Sequence, residues 1–308
     1  MKRQMFHFFC SIIIIILIVL VCDNAIGAIM RYAFRSKPLN DDPYSLSWYY
    51  YSEATADVII LGNSRALHNY DAKMISDSIG MNVKNIAMDG TSAIYQSCIL
   101  QKIIKRHKPK IVFFEYLESY LDGHGNNLEN QDYIKDLYYE DNFVKAKLDA
   151  IDAYSPIKEL SSVYRLTGLN SLSFINNLRG RGTHEYLKKG FRPLPDKTIE
   201  YPKMSYRRYL FPKIDSIELQ SIEDIVFMCH KNNVKLVVTI SPTLNLTYPS
   251  NSITLHALCA RLHIPIIDNS IVQGIGDEMF KDKIHMNAKG AEMYTKCFIK
   301  QIENKVLK

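Results

Sequence analysis

Apolar and polar positions alternate along this chain in two distinct rhythms. From Met5 to Val21 nearly every position is apolar, with the tract Ile12–Ile16 running on into Leu17, Ile18, Val19 and Leu20. No soluble strand or helix needs so apolar a run. Its length approaches the roughly 20 residues of a bilayer-spanning helix if the helix continues past Asp23 and Asn24 into Ala25–Met30. After a polar, aromatic stretch from Ser36 to about Ala56, short runs rich in Val and Ile recur at Asp57–Leu61, Val83–Ala87, Lys110–Phe114, Val234–Ile240 and Ile264–Ile267. Strands buried on both faces have this composition. Between them, Asp71–Gly80, Ser92–His107, Ile217–Lys231 and Ser252–Leu262 carry apolar residues at helical spacing, and Asn287–Glu303 predicts a closing helix with Asn287 as its N-cap. The alternation predicts an α/β fold with a five-stranded, parallel, doubly wound sheet.

One interval breaks the alternation, because about 95 residues separate the third strand from the helix before the fourth. Structureless loops of that length are uncommon in compact domains. The expectation is a mostly helical inserted cap, about 120–215, over the active edge of the sheet. The predicted organisation is an anchor or signal segment at 1–35, a linker at 36–56 and the α/β domain with its cap at 57–308. Parallel sheets bind ligands beyond the carboxyl ends of their strands, so the loops after the strands are where chemistry is sought.

Composition and charge narrow the function classes. With 47% hydrophobic and 23% charged residues in 308, a disordered chain, a fibre and a small disulfide scaffold are all excluded. The net charge of +6 suggests nucleic acid, an anionic membrane surface or a charged flank. Half of it lies in the first 35 residues, where Lys2, Arg3, Arg31 and Arg35 face Asp23 alone. No nucleic-acid motif accompanies the rest. The first segment reads as an uncleaved single-pass anchor, with a cleaved signal peptide ending at Ala25-Ile26-Gly27 as the alternative. Its basic flanks are nearly balanced. An export-like segment of this kind places the following domain outside the cytoplasm. Within the cap, Asp122–Asp152 is acidic and Arg179–Lys213 is basic and rich in tyrosine. Two solvated faces would explain this. So would a surface around Arg207 and Arg208 that contacts an anionic or glycan partner, since tyrosine faces suit sugars. The six cysteines have no metal-ligand spacing and read as small buried apolar residues. Neither a metal nor a cofactor is expected.

The candidate chemistry sits at strand exits. The first strand runs into Gly62-Asn63-Ser64-Arg65, a turn that raises a serine hydroxyl above the sheet with its N–H near a helix start. The second ends in Asn85-Ile86-Ala87-Met88-Asp89-Gly90, which puts a glycine N–H in the neighbouring loop. Near the carboxyl end, Asp282 and His285 have the spacing that lets a carboxylate hold imidazole Nδ1 while Nε2 takes a serine proton. Asn63 and Arg65 flank the serine as possible substrate contacts. His68, four residues after Ser64, could face the site, but reads first as a polar residue on the helix face.

These motifs resemble the SGNH (GDSL-type) hydrolase superfamily from Val58 to the last helix, in an arrangement also called flavodoxin-like. Val58 through Ser64 is similar to its first block, Asn85 through Gly90 to its second, and Asp282 with His285 to its fifth. The resemblance implies Ser64 as nucleophile, His285 as general base, Asp282 as its orienting partner, and the N–H groups of Ser64 and Gly90 as oxyanion donors. The third block departs: Phe113-Phe114-Glu115-Tyr116 stands where members usually have Gly-x-Asn-Asp, and Asn126 or Asn127 offers a substitute donor only if the cap folds back. A single anchor joined to such a domain is similar in architecture to accessory proteins of teichoic-acid D-alanylation and alginate-type acetylation. That similarity implies an acylated cell-surface glycan or polymer as substrate and a membrane-bound acyltransferase as partner. The implied function is a serine esterase or O-acyltransferase, with an inactive SGNH-like binding or assembly module as the alternative.

Overall fold

A computed structural model describes residues 2–35, 43–117, 120–121, 129–166, 189–196, 214–244, 250–270 and 272–307. Its centre is a parallel sheet of β1 (Val58–Leu61), β2 (Val83–Asn85), β3 (Ile111–Glu115), β4 (Lys235–Ile240) and β5 (Ile266–Asp268), in the order β2-β1-β3-β4-β5. Leu61 pairs with Phe114, and Ile60 with both Asn85 and Phe113, so the carboxyl end of β1 is bordered on each side. The chain leaves β1 toward β2 on one side and returns to β3 on the other, and a crevice opens where the direction reverses. The fold is the predicted doubly wound α/β arrangement.

Strand alternation feeds two cores. Ile59, Leu61, Val112, Phe114, Leu236 and Val238 face one side; Val58, Ile60, Ile111, Phe113 and Val237 face the other. The first core is covered by α5 (Ala93–Arg106) and α9 (Ser216–Lys231), the second by α3 (Ser64–Asn69), α4 (Ala72–Ile79) and α11 (Ala288–Lys305). A further helix, α10 (Ser250–Arg261), precedes β5. Full burial of each Val, Ile or Phe stabilises the fold by about 1.5–3 kcal/mol. The helix starts are capped as their sequences suggest: Asp71 accepts from the N–H of Lys73 and Met74, and Asn287 from that of Gly290.

One expectation about organisation is corrected. The span taken as a linker contains α2 (Pro43–Ser52), with Tyr44, Leu46, Tyr50 and Tyr51 buried in the first core. Its rings bury large areas while their hydroxyls find partners, as in Tyr51 to Asp141 at 3.1 Å. Arg106 closes its carboxyl end by donating to the carbonyls of Tyr51 and Ala54 at 2.8 and 2.7 Å. The described front of the insert comprises a 3-10 helix (Glu129–Leu137), α6 (Asn142–Ile151), α7 (Ser155–Lys158) and α8 (Ser162–Arg165). Its Gln131 Nε2 donates to Ser92 Oγ at 3.1 Å, in the loop after β2. Ile134, Leu137, Val144 and Leu148 pack into the first core beside α2, α5 and α9, because that flank offers them apolar area. Residues 189–196 reach the carboxyl edge, whereas Arg207 and Arg208 lie outside the described residues.

The amino-terminal helix α1 (Lys2–Arg35) continues through Asp23 and Asn24. The large apolar side chains from Met5 to Val21 stand exposed. Its distal third is fastened to the domain. Asp23 accepts from Ser161 Oγ and the Ser162 N–H, both at 2.6 Å, and Arg35 pairs with Asp136 and Glu140 at 2.9 Å each.

Candidate active site

The turn after β1 is built for close approach. Gly62 has φ +153, and a Cβ there would lie 2.6 Å from that of Ala66 and 3.0 Å from that of Glu115. Glycine lets α3 start immediately above the sheet. Asn63 is the N-cap of α3, its Oδ1 accepting from the Arg65 N–H at 3.1 Å, and Ser64 is the first helical residue. Gln96 Nε2 donates to the Gly62 carbonyl and, at 2.9 Å, to Thr91 Oγ1, tying the Ser64 turn to the loop after β2. That loop holds Gly90 at φ +69. Among the described residues, neither the Ser64 nor the Gly90 N–H meets an acceptor.

The histidine arrives on the loop before α11. Phe280 and Met286 form an antiparallel bridge that closes this loop, and Asn69 Oδ1 holds the Met286 N–H at 3.1 Å. Asp282 Oδ1 accepts from the N–H groups of Ile284 and His285 at 3.0 and 2.9 Å, which leaves Oδ2 to take His285 Nδ1 at 2.8 Å. His285 Nε2 then lies 2.7 Å from Ser64 Oγ. Nδ1 donates to the carboxylate, so Nε2 presents a lone pair to the serine hydroxyl. Burial pushes the Asp282 carboxyl up, but the hydrogen bonds from the His285 ring and the Ile284 amide outweigh it and hold the group below its ordinary range. The structure thus brings Ser64 together with the Asp282–His285 pair from two stretches of chain more than two hundred residues apart.

A second histidine–carboxylate pair adjoins the first. His68 lies one turn after Ser64 on α3 and packs edge to face on His285, 5.4 Å between ring centroids. Its Nδ1 is 2.7 Å from the Arg192 carbonyl and its Nε2 3.0 Å from Asp89 Oδ1. Both ring nitrogens thus lie within hydrogen-bond distance of an oxygen. Asp89 also pairs with Arg192 at 3.5 Å. Burial raises the Asp89 carboxyl, yet the hydrogen bond and charge of His68, with Arg192 and His285, hold it below its ordinary range. His68 is therefore not a polar residue on an open helix face, because residues 189–196 cover it. The Arg192 N–H bonds the Leu67 carbonyl at 3.1 Å and the Leu194 carbonyl takes the Ala288 N–H at 2.9 Å, fixing this strap between α3 and α11.

Burial also removes Arg65 from the candidate substrate contacts. Arg65 is fully buried and pairs with Glu115 at 3.0 Å, while its guanidinium donates to the carbonyl of Ser241 and, at 3.1 Å, to Ser241 Oγ. Glu115 Oε1 takes the Ser241 N–H at 2.9 Å, and Oε2 takes Thr239 Oγ1 at 3.0 Å and the Tyr70 hydroxyl. The departure after the third strand thus has a structural use: where a loop donor was expected, Glu115 anchors a buried cation. Asn63 is nearly buried as well, with its side-chain oxygen occupied as a cap. Asn126 and Asn127 lie outside the described residues.

The sequence carried partial signals for the residues it underrated or missed. His68 stands four residues after Ser64, the spacing of side chains that share a helix face. Glu115 is a charge at the end of an otherwise apolar strand, and a fully buried carboxylate requires a partner. Arg192 has no local signal, since its place depends on the long insert folding back.

No family model and no curated protein matches the chain. Among solved structures it is similar to a crystal structure from Bacteroides fragilis NCTC 9343 described as a "putative acylhydrolase", at 13% identity and a TM-score of 0.40, covering 92% of this chain and 98% of that one. The functional reading rests on the geometry of the site itself.

Proposed function

We propose that this chain is a membrane-anchored serine esterase or O-acyltransferase that acts on acyl esters of a cell-surface glycan or polymer through an acyl-Ser64 intermediate. The observation that carries this reading is the unbroken succession from Ser64 Oγ to His285 Nε2 at 2.7 Å and from His285 Nδ1 to Asp282 at 2.8 Å, at the carboxyl edge of a parallel sheet. The motif resemblance to the SGNH superfamily, carried by the sequence alone, supports it separately.

Ser64 gives its hydroxyl proton to His285 Nε2 as Oγ attacks the ester carbonyl. Asp282 stabilises the resulting imidazolium without taking its proton. The charge that develops on the carbonyl oxygen falls to the amides of Ser64 and Gly90, which have no competing acceptor among the described residues. His285 then protonates the leaving alkoxide. Water resolves the acyl-serine in hydrolysis, and a sugar hydroxyl does so in transfer, each giving its proton to His285. Acceptor choice alone separates esterase from transferase.

Helix α1 supports the membrane part of the reading, since it carries an exposed apolar stretch of spanning length. We place the domain on the extracytoplasmic side, where acylated surface polymers are found. The intact succession favours turnover over a binding module, for which a broken one was the expectation. Incubating the full chain with short acyl esters and with acylated surface glycan, then mapping the adduct by mass spectrometry, tests the reading. An acyl group on Ser64 is the expected result. Acyl transfer or hydrolysis that persists in Ser64→Ala overturns it.

A further inference from the structure

Helix α7 and its flanks are patterned inside out. Ser155, Glu159, Ser162 and Arg165 point into the protein and are buried, whereas Tyr154, Ile157 and Leu160 point outward and are 68%, 68% and 61% exposed. On a water-facing helix the apolar stripe turns to the core and the polar face to solvent. Here the polar face is interior, so the outer surroundings of this segment differ from water.

The neighbour of that segment is the membrane helix. Leu160 directly precedes Ser161, and the hydroxyl of Ser161 and the N–H of Ser162 are both 2.6 Å from the Asp23 carboxylate. Ser162 Oγ is 2.8 Å from Asn24 Oδ1. A Cβ on Gly27 would fall 2.3 Å from that of Ser162, so the glycine permits α8 to lie directly on α1. Asp23 is the first charged residue after the unbroken apolar run that ends at Cys22, and beyond it Ile26 and Ile29 are exposed again. The stretch from Phe6 to Cys22 spans about 25 Å at about 1.5 Å per residue, slightly less than the roughly 30 Å of a hydrocarbon core. The contact between α1 and α8 therefore lies at the boundary of headgroups and acyl chains, and the exposed patch is within a few residues of it.

We propose that Tyr154, Ile157 and Leu160 form a monotopic seat that dips into the same bilayer crossed by α1, so that the domain is fixed to the membrane by two adjacent elements. Partner and depth follow from the chemistry: aliphatic side chains enter the acyl boundary, while the Tyr154 hydroxyl and the Lys158 ammonium reach the headgroup level. A helix and a seat together set the tilt of the domain, which a single flexible tether does not. The inference rests on the membrane reading of α1 and is independent of the serine chemistry.

Depth-dependent quenching tests it on the full chain in phosphatidylcholine vesicles with brominated acyl chains. The native chain has one tryptophan, Trp48, so Ile157→Trp and Leu160→Trp are each made with Trp48→Phe. Lys296→Trp, on α11 across the sheet from the helices that touch α1, is the control. The expected result is blue-shifted emission at 157 and 160, quenched most by bromines close to the headgroups, with emission at 296 unquenched. Flotation with the vesicles after alkaline carbonate but emission at 157 and 160 no more quenched than at 296 overturns the seat alone. Release by carbonate overturns the anchor, and the seat with it.

Discussion

His285 and His68 stand edge to face, 5.4 Å between ring centroids, each bonded to an aspartate. They differ in what the second nitrogen meets. In His285 it meets the Ser64 hydroxyl, while in His68 it meets the Arg192 carbonyl. One ring keeps a lone pair aimed at a proton that can be taken, and the other has both nitrogens committed to oxygens. Similar residue types in one loop cluster therefore have different uses. A base needs a free nitrogen, whereas a ring tied at both ends positions its neighbours. Here those neighbours are Asp89, which precedes Gly90 in the chain, and the 189–196 strap. Under the proposed chemistry His285 is the base and His68 a positioning residue.

Substitution at the two rings separates these roles. His285→Ala should lower kcat/KM on a short acyl ester by roughly ten-thousandfold, as should Ser64→Ala, because either removes the proton-transfer route. The double variant should be about as impaired as either single one, since the residues act as a unit. Asp282→Asn comes next, with a loss of roughly a thousandfold from the wrong His285 tautomer, read in kcat while the melting temperature stays near that of the parent.

Carboxylates without a cation sharpen the contrast. Asp282 and Asp89 are held low by their histidines, but burial pushes Glu218, which bonds the Ala93 N–H at 3.1 Å, up to about 7. A carboxyl raised in the folded state costs stability above its folded pKa and nothing below its unfolded value of 4.5. Glu218→Gln should thus stabilise the protein at pH 8 by on the order of 2 kcal/mol and leave it unchanged near pH 4, as read by denaturant midpoints. Stabilisation that is the same at both pH values would contradict this cause.

Smaller effects are expected at the second pair. His68→Gln should reduce kcat by about tenfold with KM nearly constant, through loosening of the loop that carries Gly90. A loss as large as that of His285→Ala would break the division of roles. The depressed carboxyl of Asp89 contributes stability that is present above its unfolded value of 3.8 and is lost as pH falls through the lower folded value. Since the side chain is 42% exposed, screening limits this contribution to below about 1 kcal/mol. Asp89→Asn should accordingly be slightly less stable than the parent at pH 7, and the gap should close toward pH 2.

The sheet was legible because strands buried on both faces and capped helices leave local marks, as at Val58–Leu61 and Asn287. The grouping of Ser64, Asp282 and His285 was legible for the same reason, since strand exits in a doubly wound sheet converge. What escaped depends on long-range closure. The linker reading of residues 36–56 missed α2 because Tyr44, Tyr50 and Tyr51 look like surface aromatics until α5 and the insert enclose them. Arg65 looked available beside the nucleophile, yet α3 turns it inward onto Glu115 and Ser241, a network drawn from three strand ends. The strap bearing Arg192 is separated from His68 by more than a hundred residues, and no local pattern announces that pairing.

The most direct measurement is labelling of the full chain by a serine-directed fluorophosphonate, with the site mapped by mass spectrometry in the parent and in Ser64→Ala, His285→Ala and His68→Gln. The expected result is a single adduct on Ser64, absent in Ser64→Ala, nearly absent in His285→Ala and retained in His68→Gln. Labelling of Ser64→Ala equal to the parent would contradict the assignment of Ser64 as the nucleophile.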